Sequence, residues 1–346
     1  VAGAVGCVWI GGSRVLDRAG DYAERGDPIA DAPLVAPSGV VPLERAHLPS
    51  APLAPDSVFG APDRELLAPV AASALTKVKL NRGGTSLSLR LDFASGARAA
   101  FKPLQIHPQS DPRREIAAYR IDRLLGIGHV PPAKSAGFPV DSVVAAVEPA
   151  SRAHAAQRIG DEAIARRGML YGEVSWWIPE IKAVRIGGHL IDEPEGEAVW
   201  TEYLQAGAAR PAELAPLLAQ IATAIVFDVI IDNADRWSGN NTQGSPDNRT
   251  LYFMDNTLSF SQFTLGHATN LSKLHRIQVF PRALIGKLRA LTLEAVATAL
   301  GPDDEVLGPL LTSAELHAIL ARRDHVIGYL DHLIAELGDD AVLALP

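Results

Sequence analysis

Ile231-Asp232-Asn233-Ala234-Asp235-Arg236-Trp237-Ser238-Gly239-Asn240 closes a long apolar helical pattern, and Leu251-Tyr252-Phe253-Met254-Asp255-Asn256 follows as a short apolar run that reads as a strand. The first segment offers Asp235 as a carboxylate base and Asn240 as an amide ligand. The second delivers another carboxylate, Asp255. Mg²⁺ and Mn²⁺ take oxygen ligands, and a hydroxyl that accepts a phosphoryl group needs a carboxylate beside it. Each residue also has a plainer reading. Asp235 can simply end a helix beside Arg236, Asn240 and Asn241 can be turn residues beside Gly239, and Asp255 can merely finish a strand. It is the ordered combination that points to phosphoryl transfer.

Upstream, Leu87, Leu89, Leu91 and Phe93 alternate with polar residues, which is strand period. Ala94-Ser95-Gly96 reads as a turn, and Arg98 to Lys102 as the returning strand of a hairpin. Asp111-Pro112 reads as a helix start, because Asp caps and Pro suits the first helical position. Ala117, Ile121, Leu124 and Leu125 form one apolar face of that helix, which Gly126 ends. Lys102 on a mostly apolar strand needs a partner, since an unpaired buried ammonium is costly. Glu115 near the helix start is its candidate. A strand Lys paired with a helix Glu aligns nucleotide phosphates in protein kinases. The plainer alternative is a solvated lysine and a glutamate serving the helix dipole. Gly83-Gly84-Thr85-Ser86 before the hairpin offers backbone amides to phosphates, or is a plain turn.

Farther along, Val143 to Val147 reads as a strand. Leu214, Leu217, Leu218, Ile221, Ile225 and Val229 form a long helical stripe, and further helices are expected near 282–300 and 313–337. The fold class is α+β. A strand-rich lobe is expected over about 70–150 and a helical lobe over about 151–346, with a ligand cleft between them. Residues 1–69 are read as an apolar segment followed by a linker rich in Pro and Ala, because closely spaced prolines block helices and central strands.

Val1-Ala2-Gly3-Ala4-Val5-Gly6-Cys7 reads as the tail of an export signal, with Cys7 a lipid-attachment residue, or as a short buried strand or a disordered end. The first reading places the protein in the periplasm or cell envelope, with membrane contact only through that anchor. The chain has 346 residues, 47% hydrophobic, with a net charge of −8 and one cysteine. That is ample for real cores, and it leaves no internal disulfide and no cysteine-based zinc site. No Lys/Arg-rich run occurs, so a nucleic-acid footprint is not supported and no nucleic-acid partner is expected. No HExxH or GxSxG occurs, which argues against zincins and ordinary α/β-hydrolases. Three Asn-x-Ser/Thr triplets, at Asn240, Asn248 and Asn270, are taken as coincidental.

These residues resemble a family. From about residue 84 to about 291 the chain is similar to the secretory-pathway kinases that include the Golgi casein kinase, the glycosaminoglycan xylose kinase and the Four-jointed kinase. The resemblance is carried by Phe101-Lys102-Pro103, by Glu115 to Gly126 with Val130-Pro131-Pro132, and by Tyr171-Gly172-Glu173 with Trp176-Trp177. Phe227-Asp228, Asn233, Asp235-Arg236, Asp255-Asn256 and Arg276-Ile277 complete it. It implies an atypical two-lobed kinase fold, ATP with Mn²⁺ or Mg²⁺, and a protein or carbohydrate hydroxyl as acceptor. By the same resemblance Lys102 and Glu115 contact the nucleotide, Glu115 and Asp255 hold the metal, and Asp235 is the catalytic base. Two departures stand out. Trp237 replaces the usual histidine, and Asn240 sits where some members carry Glu. Trp237 motivates one alternative, a nucleotide-binding module without turnover; an AMP transferase is a further one within the enzyme class. The strong Ala, Arg and Pro usage suggests a bacterial member.

Overall fold

The computed structural model describes residues 57–81, 85–238, 241–301, 304 and 306–346. Cys7, Gly83, Gly84 and Asn240, named above, lie outside the described residues. A short helix, α1 (Asp63–Leu67), precedes β1 (Leu75–Leu80), β2 (Leu89–Phe93) and β3 (Arg98–Pro103). The expected turn between β2 and β3 is made at Gly96, which adopts φ +84°. Helix α2 (Pro112–Leu124) follows, capped by Asp111, whose Oδ1 accepts the Arg113 N–H at 3.1 Å. Next come β4 (Ala133–Pro139), α3 (Val140–Ala145), α4 (Pro149–Glu162), β5 (Ala165–Arg166) and β6 (Met169–Trp176). The sheet runs β1-β2-β3-β6-β4 with every neighbour antiparallel, and β5 pairs with β6. The helical part contains α5 (Pro194–Tyr203), α6 (Ala215–Ile231), α7 (Ala268–Leu274), α8 (Arg282–Arg289), α9 (Leu293–Leu300) and α10 (Ser313–Leu337).

Strand alternation sorts side chains between two cores. On one face of the sheet Leu89, Leu91, Phe101, Phe138 and Val174 form an apolar cluster, completed by Val143 of α3 and Ile159 of α4. Phe101 meets Phe138 edge-on with centroids 5.0 Å apart. Each large side chain buried this way contributes roughly 1.5–3 kcal/mol. Lys102, next to Phe101, must therefore face the other way, toward α2.

The second cluster surrounds the apolar α6 and takes in Ile116, Ala117 and Ile121 of α2. Helix α2 is thus packed against the helical lobe as well as the sheet. Two polar ties fix it there. Arg114 pairs with Glu315 of α10, both fully buried, and Arg120 donates to the Leu300 carbonyl that ends α9. Glu315 also belongs to the Thr312 capping box that starts α10.

Several expectations need correction. Val143–Val147 is not a strand. Its first part lies in α3, and Val143 and Val147, four residues apart, both reach the same core. The helix ends at Ala145, and Val147 beyond it makes a lone parallel bridge to Val78 of β1. The apolar pattern over 282–300 is two helices, because Thr292 interrupts it and caps α9 by accepting the Ala295 N–H at 3.1 Å. Leu251–Met254 is not a strand either. Leu251 makes a lone bridge to Gly244, and the Phe253 N–H donates to the His129 carbonyl at 3.0 Å. That run is apolar because it is pressed between the lobes, with Phe253 stacked on Phe227 at 5.7 Å. The end of the Pro-rich segment wraps onto the body: Asp63 accepts from Tyr119 at 3.0 Å and from Arg123 at 2.7 Å.

Gly172 of β6 is where two strands approach too closely for a side chain. A Cβ there would sit 2.2 Å from the Lys102 carbonyl oxygen and 2.6 Å from the Pro103 Cα. Both obstacles are backbone, so neither can rotate away. Gly172→Ala is expected to lower stability by about 1–3 kcal/mol in urea unfolding. An unchanged midpoint would contradict the close approach of β3 and β6.

Candidate active site

The Lys102 ammonium sits between two carboxylates from different parts of the chain. Its Nζ lies 2.6 Å from Glu115 Oε1 on α2 and 2.7 Å from Asp255 Oδ1 on the loop after Phe253. Burial alone would lower the lysine, but the Asp255 and Glu115 charges outweigh it and hold the ammonium well above the usual lysine range. Burial would raise Asp255, yet Lys102 beside it brings its carboxyl below the usual range. Asp255 is held in the left-handed region, φ 55°, and Thr257 Oγ1 donates to its Oδ1 at 3.1 Å.

These groups open onto a cavity of about 430 Å³ between the lobes. Ser86, Trp176, Trp177 and Met254 line it together with Lys102, Glu115, Asp255 and Asn241. The size suits a nucleotide-scale ligand. Strands and the α2 helix supply one wall, and the loops after α6 supply the other.

Asp235 stands beside this cluster rather than in it. Its carboxylate accepts from Ser238 Oγ at 2.9 Å and from Asn241 Nδ2 at 3.0 Å, and its N–H donates to Asn233 Oδ1 at 3.1 Å. Helix α6 ends because Asp232 turns left-handed, φ 55°, which directs Asn233 to Asp235 away from the helix axis. Asn241 lines the cavity and also grips Asp235, so it joins the two parts of the site.

A buried polar chain braces the arrangement from below. Asn256 donates its N–H to Glu115 Oε1 at 3.0 Å and its Nδ2 to Glu115 Oε2 at 3.1 Å. Its Oδ1 accepts from Arg236 Nη2 at 2.8 Å and Asn233 Nδ2 at 3.2 Å. Arg236 in turn clamps Asp228 of α6, with Nε 2.8 and 3.0 Å from the two carboxylate oxygens. Burial pushes Asp228 up to about 6, against the opposing pull of Arg236. Trp237 Nε1 also donates to Asp228 Oδ2, at 3.1 Å.

The structure therefore brings together Lys102, Glu115 and Asp255, with Asp235 joined to them through Asn241. Sequence reasoning missed three side chains. Asn256 was named only as part of a motif, and nothing in its spacing announced a hub. Asn241 was passed over for its neighbour. Glu173 is a buried acid in β6 that pairs across the strands with Lys102. Its signal was an acid inside the otherwise apolar run Met169–Val174. Neither of its carboxyl oxygens makes a hydrogen bond of normal geometry to a described residue. Burial pushes Glu173 up to about 8 and the nearby Glu115 charge adds to the rise. The Ser175 hydroxyl, close but outside hydrogen-bond geometry, and Lys102 oppose it.

A divalent cation fits the donor set. Glu115 and Asp255 are carboxylates on the cavity wall, and Asn241 adds an amide oxygen. Among the described residues no three His, Cys, Asp or Glu side chains are gathered to hold an ion unaided. That suits Mg²⁺-type binding, in which one or two carboxylates share the ion with nucleotide phosphates.

Comparison with known proteins finds relatives in sequence and in fold. Glycosaminoglycan xylosylkinase of Homo sapiens is 23% identical over 309 residues, covering 79% of this chain and 76% of that protein. A crystal structure of the Golgi casein kinase superposes with a TM-score of 0.64 at 15% identity, covering 82% of this chain and 77% of the other. The same kinase with Mn/ADP bound gives 0.63 at 16%, covering 81% and 78%. The chain resembles the secretory-pathway kinases in sequence and fold. The structure of hydra Fam20 with sugar extends the match, with a TM-score of 0.60 at 18% identity over 80% of this chain and 90% of that one. No protein-family model matches. The two-lobed, atypical-kinase-like α+β fold expected from the sequence is the one observed.

Glu173 gives a stability test. An unfolded glutamate releases its proton near 4.5, whereas folded Glu173 keeps it up to about 8. Between those values the folded state binds more protons, so raising the pH destabilises the metal-free fold, by at most roughly 1.4 kcal/mol per pH unit from this group. Glu173→Gln is expected to be more stable than the parent at pH 8, with the gain vanishing toward pH 4.5. Denaturant melts of metal-free protein across that range check it; a gain that grows on acidification would contradict the assignment.

Proposed function

We propose that this protein is a metal-dependent kinase that moves the γ-phosphoryl group of ATP to a hydroxyl of a protein or sugar acceptor. The observation that carries the reading is the Lys102 ammonium held at the inter-lobe cavity by Glu115 of α2 and Asp255 of the opposite wall. A kinase needs that arrangement to orient a triphosphate, and catalysis then rests on positioning and electrostatics.

In this reading Lys102 binds phosphate oxygens and balances their charge. Glu115 and Asp255, with Asn241, would hold the cation, which when bound would supply positive charge to offset that of the phosphates. Asp235 orients the acceptor hydroxyl and takes its proton as the oxygen–phosphorus bond forms and the bond to the ADP oxygen breaks. Asn241 and Ser238 fix the Asp235 carboxylate in its direction. Gly83, Gly84 and Asn240 keep their proposed phosphate and metal contacts as secondary parts of the same assignment.

The acceptor class is supported by the names of the relatives, one a xylosylkinase and one a casein kinase. Export belongs to the same proposal, supported by the Golgi origin of the structural neighbour, with Cys7 as the anchor site. No helix among the described residues is long and apolar enough to cross a membrane. Trp237, the departure that favoured a module without turnover, is spent on Asp228 and does not line the cavity. That observation favours an active enzyme.

Purified protein with γ-labelled ATP and Mn²⁺ or Mg²⁺ is expected to label itself or an added acceptor, and EDTA is expected to abolish the signal. Asp235→Ala and Asp255→Ala should each lower transfer about 100-fold or more while unfolding cooperatively. Full activity in both variants would overturn the assignment. An added mass of AMP instead of phosphate would replace the reaction class.

A further inference from the structure

Glu173 is fully buried, at 0% exposure, and stands directly across from Lys102 of β3 and Ser135 of β4. Paired residues of neighbouring antiparallel strands rise from the same face, so Glu173 and Lys102 are neighbours beneath the cavity. A buried carboxyl without a hydrogen bond costs stability, and native proteins keep few of them without a use. Of the polar neighbours, the Ser175 hydroxyl lies close to Glu173 but outside hydrogen-bond geometry, and the others are committed. Ser135 donates to Asp304 Oδ2 at 2.8 Å, Asn256 is bonded to Glu115, and Thr257 to Asp255. Both Glu173 oxygens lack such a bond to a described residue.

Lys102 depends on Glu115 and Asp255, the two groups that the proposed function gives to a divalent cation. A carboxylate that turns to the ion loosens its hold on the ammonium. Lys102 would then stand at a largely dry site with its partners withdrawn. We propose that Glu173 is a positioning residue for Lys102, taking up the ammonium when Glu115 and Asp255 turn to the cation and keeping it aimed at the nucleotide phosphates. The driving force is electrostatic. The cation cancels the Glu115 and Asp255 charges that otherwise disfavour a third carboxylate nearby, and Lys102 is the cation closest along the sheet. Glu173 touches neither substrate nor metal in this account; it gives its proton to solvent as the ammonium arrives, and no other bond is made or broken. The inference rests on the nucleotide and metal site proposed above.

The test uses the full chain and compares the parent with Glu173→Gln and the apolar Glu173→Leu. Calorimetry measures ADP binding with Mn²⁺ and, separately, ADP with EDTA; thermal melts report the metal-free fold. Both variants are expected to melt no lower than the parent without metal, because each removes a buried acid. Both should bind Mn²⁺–ADP about 10-fold or more weakly, the range typical of groups that orient a metal site from behind. Binding of ADP in EDTA should stay within about 2-fold, since Glu115 and Asp255 still hold Lys102 there. In turnover assays the nucleotide KM should rise more than kcat falls. A merely structural role would weaken both binding modes alike. Mn²⁺–ADP affinity within about 2-fold of the parent in Glu173→Gln, or equal losses with and without Mn²⁺, overturns the inference and leaves the kinase reading standing. A parent protein that binds no Mn²⁺–ADP overturns the kinase reading and this inference with it.

Discussion

One ammonium held between two carboxylates organises this molecule. Lys102 comes from the sheet, Glu115 from α2, and Asp255 from a loop of the helical lobe. A lysine placed there without partners would be unfavourable, and either acid alone would leave charge uncompensated in a partly dry cavity. The three elements must therefore arrive together. The sheet delivers Lys102 because Phe101 and Val174, its neighbour and that neighbour's partner, are drawn into the opposite core. Gly172 lets the two strands close on each other at that level. Helix α2 is kept in place by Arg114 on Glu315 and Arg120 on the end of α9, ties that reach into the far helices.

The network under the site links its two halves without solvent. Glu115, Asn256, Arg236 and Asp228 form a continuous hydrogen-bonded chain from α2 to α6, buried throughout. Such a chain specifies one arrangement because each member is satisfied only when the others are present. Trp237 extends it to the core beside Trp200, with ring centroids 5.8 Å apart. Its indole N–H does for Asp228 what a smaller ring donor could do, and its bulk fills space that a smaller ring would leave.

Much of the site could be read from residue type and spacing. Lys102 was conspicuous because a charge interrupted an apolar alternation, and Glu115 because a helix start placed an acid in its first turn. Asp255 followed from its motif. Asn256, Asn241 and Glu173 could not be read in that way, because their partners lie far away in the chain and only the folded contacts assign them. The fold errors have the same origin. Val143 to Val147 looked like a strand by composition, but Pro139 caps a helix that runs to Ala145, and Val147 beyond it makes only a lone bridge to Val78. Leu251 to Met254 looked like a strand by hydrophobicity. Burial between two lobes makes a run apolar whether or not it joins a sheet, so hydrophobicity alone could not separate the cases.

The most direct measurement is a crystal structure of the protein grown with Mn²⁺ and ADP, using anomalous scattering to place the ion. The account predicts one Mn²⁺ within about 2.5 Å of carboxylate oxygens of both Glu115 and Asp255, with Lys102 moved onto a phosphate oxygen. An ion bound elsewhere, or a nucleotide seated in a different cleft with the Lys102 pairs intact, would contradict it.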